Sequence, residues 1–540
     1  MKSKTTSILL VLASALLSAC SSTPKQIVSA PIMDNDAKAM YLQRIIPAPQ
    51  SAEFKSGNFY RIADDCNVEL VLPNSEKSKK SEMRKTMNML FNKYWDVSCD
   101  VNFKFDDSAS KIKKDGYLLT TDNDKLIIKA SDFDGIRNGL KTVRQLSESE
   151  RGTTKFNAYV IPQLTINDYP TMQFRGIHMC YFPETTFYEF VRTIRLAAYY
   201  KMNYIVVEFW GTYKFKDYPQ FGSEQDYLTD KQIDEMRAVA KEAGITIIPQ
   251  FNMLGHAYGA REITGKHAIL YKYKNLQNHF EPEAWSWCIS NPDTKKMLVD
   301  MMVDLYERFD KPPFFHIGFD ESYEFGTCAL CRKTGTQAQL IKSHLTMLHS
   351  EMKKRGARLI MWHDMLLDKE DPRWDGYIVC GRQAQKLTNL YKELPKDILI
   401  ADWQYRYPKY KLSSDQSVPP QWPTMKFFKA NGFQSIACPW IEGRGTDALG
   451  KAAKEHGLYG MLGTTWGQIH FLKLQKIFSR NASWNWSGKK IDLEDRKNRM
   501  SFNHHVHQLD WDMGCNNYKD SGYSNNEDLK IKYSHFTGEH

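Results

Sequence analysis

Between residues 171 and 470 the chain alternates short apolar runs with amphipathic stretches, eight times over. The apolar runs are Phe174–Met179, Tyr204–Phe209, Ile245–Phe251, Phe314–Phe319, Leu359–Trp362, Ile398–Trp403, Ser435–Pro439 and Gly460–Trp466. Each is short enough for a strand, and the intervening stretches carry helix signals. Thr229 and Gln232 form a capping box, followed by Ile233, Met236, Val239 and Ala243 on one face and by Gly244 as the stop. Asn291-Pro292 is a cap with proline at the first helical position. Eight βα units in about 300 residues admit two architectures, a closed (β/α)8 barrel or an open doubly wound sheet. The open sheet would advertise a glycine-rich phosphate loop after a strand, and none of these strands has one. The expectation is therefore a TIM barrel of α/β class.

The chain has 540 residues, too many for one ordinary core, so a second folded part is expected before the barrel. Residues 41–165 read as a small α+β domain. Leu118–Thr121 and Leu126–Lys129 flank the turn Asp122-Asn123-Asp124 as a hairpin, and Ile136, Leu140, Val143 and Leu146 then recur at helical spacing. The barrel is assigned to residues 166–485 and a C-terminal extension to 486–540. At the other end, Lys2 and Lys4 precede the apolar run Ile8 to Leu17 and then Leu17-Ser18-Ala19-Cys20. This is the anatomy of a secretory leader over residues 1–19, too short to span a bilayer. Leu-Ser-Ala-Cys resembles the lipobox of bacterial lipoproteins, which implies lipidation of Cys20, a tether over 20–40 and a place in the bacterial cell envelope. Membrane association would then run through the lipid alone.

Nine cysteines follow Cys20. Cys66 and Cys99 lie in one domain and can pair. Cys328-x-x-Cys331 has no second pair at zinc-ligand spacing, so a local disulfide or free thiols is expected and no metal. His504, His505 and His507 lack acidic or cysteine company and read as a polar tail. No cofactor motif is present. The formal charge is +10, or 71 − 63 = +8 without Lys2 and Lys4, with both signs interleaved. That distribution argues against a nucleic-acid partner.

In a barrel the chemistry sits at the C-terminal ends of the strands. Those ends carry His256 after the third strand, His316-Ile-Gly-Phe-Asp320-Glu321 after the fourth, Trp362-His363-Asp364 after the fifth, Asp402-Trp403-Gln404-Tyr405 after the sixth, and Trp440 and Trp466 after the last two. Aromatic residues make up 13% of the chain, and rings beside carboxylates suit a sugar, with its apolar faces and hydroxyl edges. Adjacent Asp320 and Glu321 point in different directions and can address two sides of one bond.

His316-x-Gly-x-Asp320-Glu321 resembles the His-x-Gly-Gly-Asp-Glu signature of family 20 glycoside hydrolases, the β-N-acetylhexosaminidases. Ile46-Pro47-x-Pro49 and Gly135-x-x-x-Gly139-Leu140-x-Thr142 are similar to that family's small first domain. Asp168-x-Pro170 with Phe174-Arg175-Gly176 looks like the start of its barrel, and Gly255-His256-Ala257 and Trp362 fall where its motifs do. The resemblance implies an exo-acting retaining glycosidase without cofactor, in which the substrate's own acetamido oxygen replaces the protein nucleophile. It makes Glu321 the general acid/base and Asp320 the carboxylate that orients the acetamido group. It gives Arg175 the far-edge hydroxyls of the terminal sugar, Tyr405 the acetamido carbonyl, and Trp362 and Trp466 the pocket walls, completed by Trp403 or Trp440.

The chain also departs from the family pattern. Phe319 replaces the second glycine, Cys180 and Asn252 replace acids, and Trp466-Gly467-Gln468 replaces Trp-x-Glu. An amide at Gln468 can donate where a carboxylate only accepts, so tolerance of a sulfated N-acetylhexosamine is an expectation. Two other readings stay open: a glycan-capture lipoprotein on a degraded barrel, and a retaining glycosidase using Glu208 as nucleophile.

Overall fold

The computed structural model of the chain describes residues 34–493 apart from 123, 150–157, 223–225, 258–269, 271–272, 375–376, 383–386, 388, 406–421, 441, 467–470 and 492, together with residues 504, 505 and 508. Cys20, Gln468 and His507 lie outside the described residues.

The first domain is built on strands β1 (Ser51–Ile62), β2 (Asn67–Leu72), β3 (Asp100–Phe105), β4 (Tyr117–Thr121), β5 (Leu126–Ala130), β6 (Glu148–Ser149) and β7 (Tyr159–Asp168). They form one mixed sheet in the order β1-β7-β4-β5-β2-β3, with β6 paired to β7. The hairpin read around Asp122 is the antiparallel pair β4–β5. The helix Phe133–Leu146 buries Ile136, Leu140, Val143 and Leu146 against this sheet. Its approach requires glycine: a Cβ on Gly135 would stand 2.3 Å from the Gly116 carbonyl oxygen. Cys66 and Cys99 are disulfide-bonded, joining the segments that lead into β2 and β3.

The second domain is a closed parallel barrel of β8 (Phe174–Tyr181), β9 (Tyr204–Phe209), β10 (Thr246–Gln250), β11 (Phe314–His316), β12 (Arg358–Trp362), β13 (Leu399–Trp403), β14 (Ser435–Cys438) and β15 (Gly460–Gly463). Closure is the pairing of β15 with β8, Gly463 opposite Ile177, which excludes the open sheet. The period of two divides each strand between two cores. Val206, Ile248, Ile360, Ala401 and Leu462 fill the barrel interior, whereas Ile205, Val207, Ile247, Leu359 and Ile400 pack on the surrounding helices. The helix Asp230–Ala243 carries the full capping box, with Thr229 Oγ1 accepting from Gln232 N, and ends at Gly244 with φ 72°. The helix Pro292–Arg308 is capped by Asn291. No helix among the described residues is long and apolar enough to cross a membrane.

Polar side chains lock the two domains together beneath the barrel. The buried Asp168 carboxylate, at the end of β7, accepts from Lys201 Nζ (2.9 Å), Tyr117 Oη (2.7 Å) and Trp486 Nε1 (2.8 Å). A charge out of water persists only when so compensated. The histidines read as a polar tail are instead docked on the first domain: His505 Nε2 lies 2.8 Å from the Arg44 carbonyl and His504 Nε2 lies 3.3 Å from that of Gln145. Burial pushes His505 down to about 3, so it is a neutral packing residue.

Candidate active site

The strand β11 ends at His316, and the backbone then takes an irregular path that aims two carboxylates at one point. Gly318 (φ 64°), Phe319 (φ 85°) and Glu321 (φ 47°) all occupy the left-handed region. Gly318 has no alternative, since a Cβ there would meet the Asn252 Oδ1 at 2.0 Å. Phe319 adopts a conformation that glycine takes without strain and a bulky residue does not. Its buried ring lies stacked 6.3 Å from His344, and that packing holds the strained backbone in place. Such strain, costing on the order of 1–3 kcal/mol per residue, concentrates where geometry serves chemistry.

Asp320 and Glu321 converge on His256. Its Nε2 stands 3.2 Å from the Asp320 Oδ2 and 3.3 Å from the Glu321 Oε2. The carboxylates differ in access: the Asp320 side chain is 12% exposed and that of Glu321 31%. Glu321 thus faces the mouth of the barrel and Asp320 lies deeper, the division expected if one exchanges protons with a leaving group and water while the other steadies a charge.

The rings anticipated from the strand ends form a connected wall. Trp362 and Trp466 have centroids 5.6 Å apart, Trp403 and Tyr405 5.1 Å, and Tyr405 and Trp440 5.2 Å. Burial and the nearby Asp320 carboxylate raise the Tyr405 phenol well above its ordinary value, so it remains a donor. His316 beneath them is neutral, held far below its usual range by burial and His178, and its Nδ1 accepts the Gly318 N–H at 3.1 Å.

Arg175 is not part of this assembly. It is the second residue of β8, at the strand's N-terminal end, six residues from Tyr181, which corresponds to about 20 Å of extended chain. Its guanidinium donates to the Asp115 carboxylate (2.8 Å) and to the carbonyls of Lys201, Met172 and Gln173, and it lies over the Trp486 ring. All three of its guanidinium nitrogens are engaged at the domain junction, at the end of the strand away from Asp320 and Glu321, which does not fit the far-edge role expected for it. Glu208 is also occupied. It is buried, accepts from Asn252 Nδ2 at 2.7 Å, and lies 3.8 Å from Cys180 Sγ and 3.5 Å from His178 Nε2. A nucleophile needs an open face, and this carboxylate has none.

Two contributors were not assigned a role from sequence. Asp364 accepts the Glu321 N–H at 2.9 Å through Oδ2 and the Trp403 indole N–H at 3.0 Å through Oδ1, so one carboxylate fixes both the Glu321 backbone and a wall ring. Burial, with Asp320 close by, pushes it up to about 6. Trp285 donates its indole N–H to the Glu321 carbonyl at 2.7 Å and lays its ring 4.6 Å from that of His256. It comes from an irregular segment without periodicity, and Trp285-x-Trp287 was its only trace in the sequence.

Residues 163–475 match the glycosyl hydrolase family 20 catalytic domain, and residues 42–169 match domain 2 of that family. A β-hexosaminidase of Porphyromonas gingivalis is 23% identical over 287 residues, covering 48% of this chain and 37% of its own length. A chitooligosaccharidolytic β-N-acetylglucosaminidase of Bombyx mori is 27% identical over 235 residues, 38% of this chain and 37% of its own. These matches thus cover little more than a third of either relative's length. The solved β-N-acetylhexosaminidase of Bacteroides fragilis superposes with a TM-score of 0.60 at 16% identity, covering 86% of this chain and 96% of that one. With its catalytic-domain match spanning more than half of its length, the chain belongs to glycosyl hydrolase family 20.

Proposed function

We propose that the protein is an exo-acting β-N-acetylhexosaminidase that cleaves terminal non-reducing N-acetylhexosamine from glycans with retention. Glu321 protonates the departing glycosidic oxygen while the substrate's acetamido oxygen attacks the anomeric carbon. Asp320 orients that acetamido group and balances the positive charge of the bicyclic intermediate. Glu321, now a carboxylate, then takes a proton from the water that opens it. Tyr405 donates to the acetamido oxygen, and Trp362, Trp403, Trp440 and Trp466 bound the pocket. The observation that carries this reading is the convergence of Asp320 and Glu321 on His256 Nε2 inside an aromatic wall at the mouth of a family 20 barrel.

A chromogenic aryl N-acetyl-β-hexosaminide tests it. Turnover with β product first seen by NMR, lowered on the order of 10²–10⁴-fold on poor leaving groups in Glu321→Ala, is the expected result. Binding without turnover would instead make the protein a glycan-capture lipoprotein. The exchange to Gln468 supports including sulfated N-acetylglucosaminides among the substrates, with Gln468→Glu selecting against them. Leu17-Ser18-Ala19-Cys20 supports lipid attachment at Cys20 and a site on the bacterial envelope. Labelled palmitate should enter the wild type and not Cys20→Ser.

A further inference from the structure

Cys288 meets the Cys328-x-x-Cys331 pair, 40 residues further along the chain, behind Glu321. Cys288 Sγ stands 3.4 Å from Cys328 Sγ and 3.8 Å from Cys331 Sγ. Glu281 completes the group, and the ligand atoms of all four lie within 4.8 Å of one another. Cys288, Cys331 and Glu281 are buried and Cys328 is half-buried. Tetrahedral zinc holds sulfurs at about 2.3 Å, which places two thiolates about 3.8 Å apart. The Cys288–Cys331 separation matches that edge and the Cys288–Cys328 separation is somewhat shorter. They also exceed a disulfide bond, and three sulfurs in one cluster cannot all be paired with one another.

The surroundings suit a charged centre. Backbone N–H groups point into the cluster from the segment that carries the Cys-x-x-Cys: Gly326 (3.0 Å), Thr327 (2.9 Å) and Cys328 (2.6 Å) donate to Glu281, and Cys331 N donates to Cys328 Sγ at 3.3 Å. Amide donors of this kind orient first ligands and spread the negative charge of thiolates and carboxylate. With a divalent cation the group carries a net charge of −2, the same as a four-cysteine zinc site. The amides of Gly326, Thr327 and Cys328 account for the Glu281 carboxylate, but they give no reason for three sulfurs to be gathered beside it. Soft sulfur donors in a tetrahedral set select zinc over oxygen-seeking cations.

We propose that Cys288, Cys328, Cys331 and Glu281 bind one structural zinc ion. The ion joins the 281–288 segment to the 326–331 segment. Between them, Trp285 donates to the Glu321 carbonyl, Trp287 donates to the Asn252 carbonyl, and the Glu324 carboxylate accepts from Glu283 N, Trp285 N and Ser286 N. The metal thus anchors the loop that steadies the catalytic acid from behind, without touching substrate. The third cysteine lies 40 residues before the pair, outside any short zinc-ligand spacing.

The test is elemental analysis and intact mass of the purified full-length chain. One zinc per chain in the native state, with a denatured mass showing no disulfide among these three cysteines, is the expected result. Cys288→Ser and Cys331→Ser should each lose the zinc, whereas Cys438→Ser, at a buried cysteine outside the cluster, keeps it. Cobalt exchanged into the wild type should show thiolate charge-transfer and tetrahedral ligand-field bands. A disulfide within the cluster, or free thiols that alkylate equally fast with and without chelator in a zinc-free chain, would overturn the assignment. Both outcomes are read on the wild type, so a variant that fails to fold does not obscure the answer.

Discussion

Replacing Arg175 separates a structural role from a substrate-reading one. Arg175 is 2% exposed and its partner Asp115 7%. Arg175→Met keeps an apolar stem against Trp486 but removes every donor, leaving Asp115 charged and without its guanidinium in a nearly dry junction. Breaking one side of a buried pair costs about 3–5 kcal/mol. The carbonyls of Met172, Gln173 and Lys201 lose their guanidinium donor as well, each hydrogen bond contributing about 1 kcal/mol net. Denaturant unfolding should therefore report a loss of at least about 3 kcal/mol. Asp115→Asn in the same chain should recover part of it, since the stranded charge is then gone. Arg175→Lys restores the charge but not the fork, and should fall between. At a temperature where all variants are folded, KM should stay within about twofold of wild type, because uniform binding is untouched. A tenfold rise in KM with unchanged unfolding would refute this account and return Arg175 to the sugar.

Asp364→Asn should lower kcat on the order of 10–10²-fold with little change in KM, because an amide can accept only one of the two N–H groups it faces and Glu321 loses its fixed backbone. Since Asp364 titrates at about 6, the acidic limb of the wild-type kcat profile near that pH should be absent or displaced in the variant. Lys141, buried among Asp134, Arg137, Arg175 and Lys201, is pushed down to about 7 from 10.5, chiefly by burial. Between those two values the unfolded chain holds a proton that the folded one does not, so this lysine's penalty is full below about 7 and fades as pH rises toward 10.5. Lys141→Met should accordingly stabilise the fold most below neutrality, with the gain over wild type shrinking steadily in denaturant titrations at higher pH. Phe319→Gly relieves about 1–2 kcal/mol of left-handed strain but removes a buried ring worth about 3–5 kcal/mol, so calorimetry should show net destabilisation.

Local rules carried the reading of this chain as far as local physics reaches. Strand order was legible because eight short apolar runs alternate with amphipathic stretches, two of them marked by caps at Thr229 and Asn291, and a strict βα alternation leaves few ways to bury both faces of every strand. The same holds for Asp320 and Glu321, neighbours in sequence at the end of a strand whose direction the barrel dictates. Trp362, Trp403, Tyr405, Trp440 and Trp466 were found by the same rule. What failed was decided across the fold. Arg175 follows a family-like motif at the start of the run Phe174–Met179, yet its partner Asp115, from the other domain, emerges only when the first domain docks beneath the barrel. Asp364 shows no more than an acid after Trp362 until the barrel brings it under the Glu321 N–H. Cys288 is one cysteine among ten until two loops fold over each other and place its sulfur beside Cys328 and Cys331. Periodicity and capping are properties of neighbouring residues and survive in a string; the partners of a buried charge or a thiol are set by closure of the chain in three dimensions.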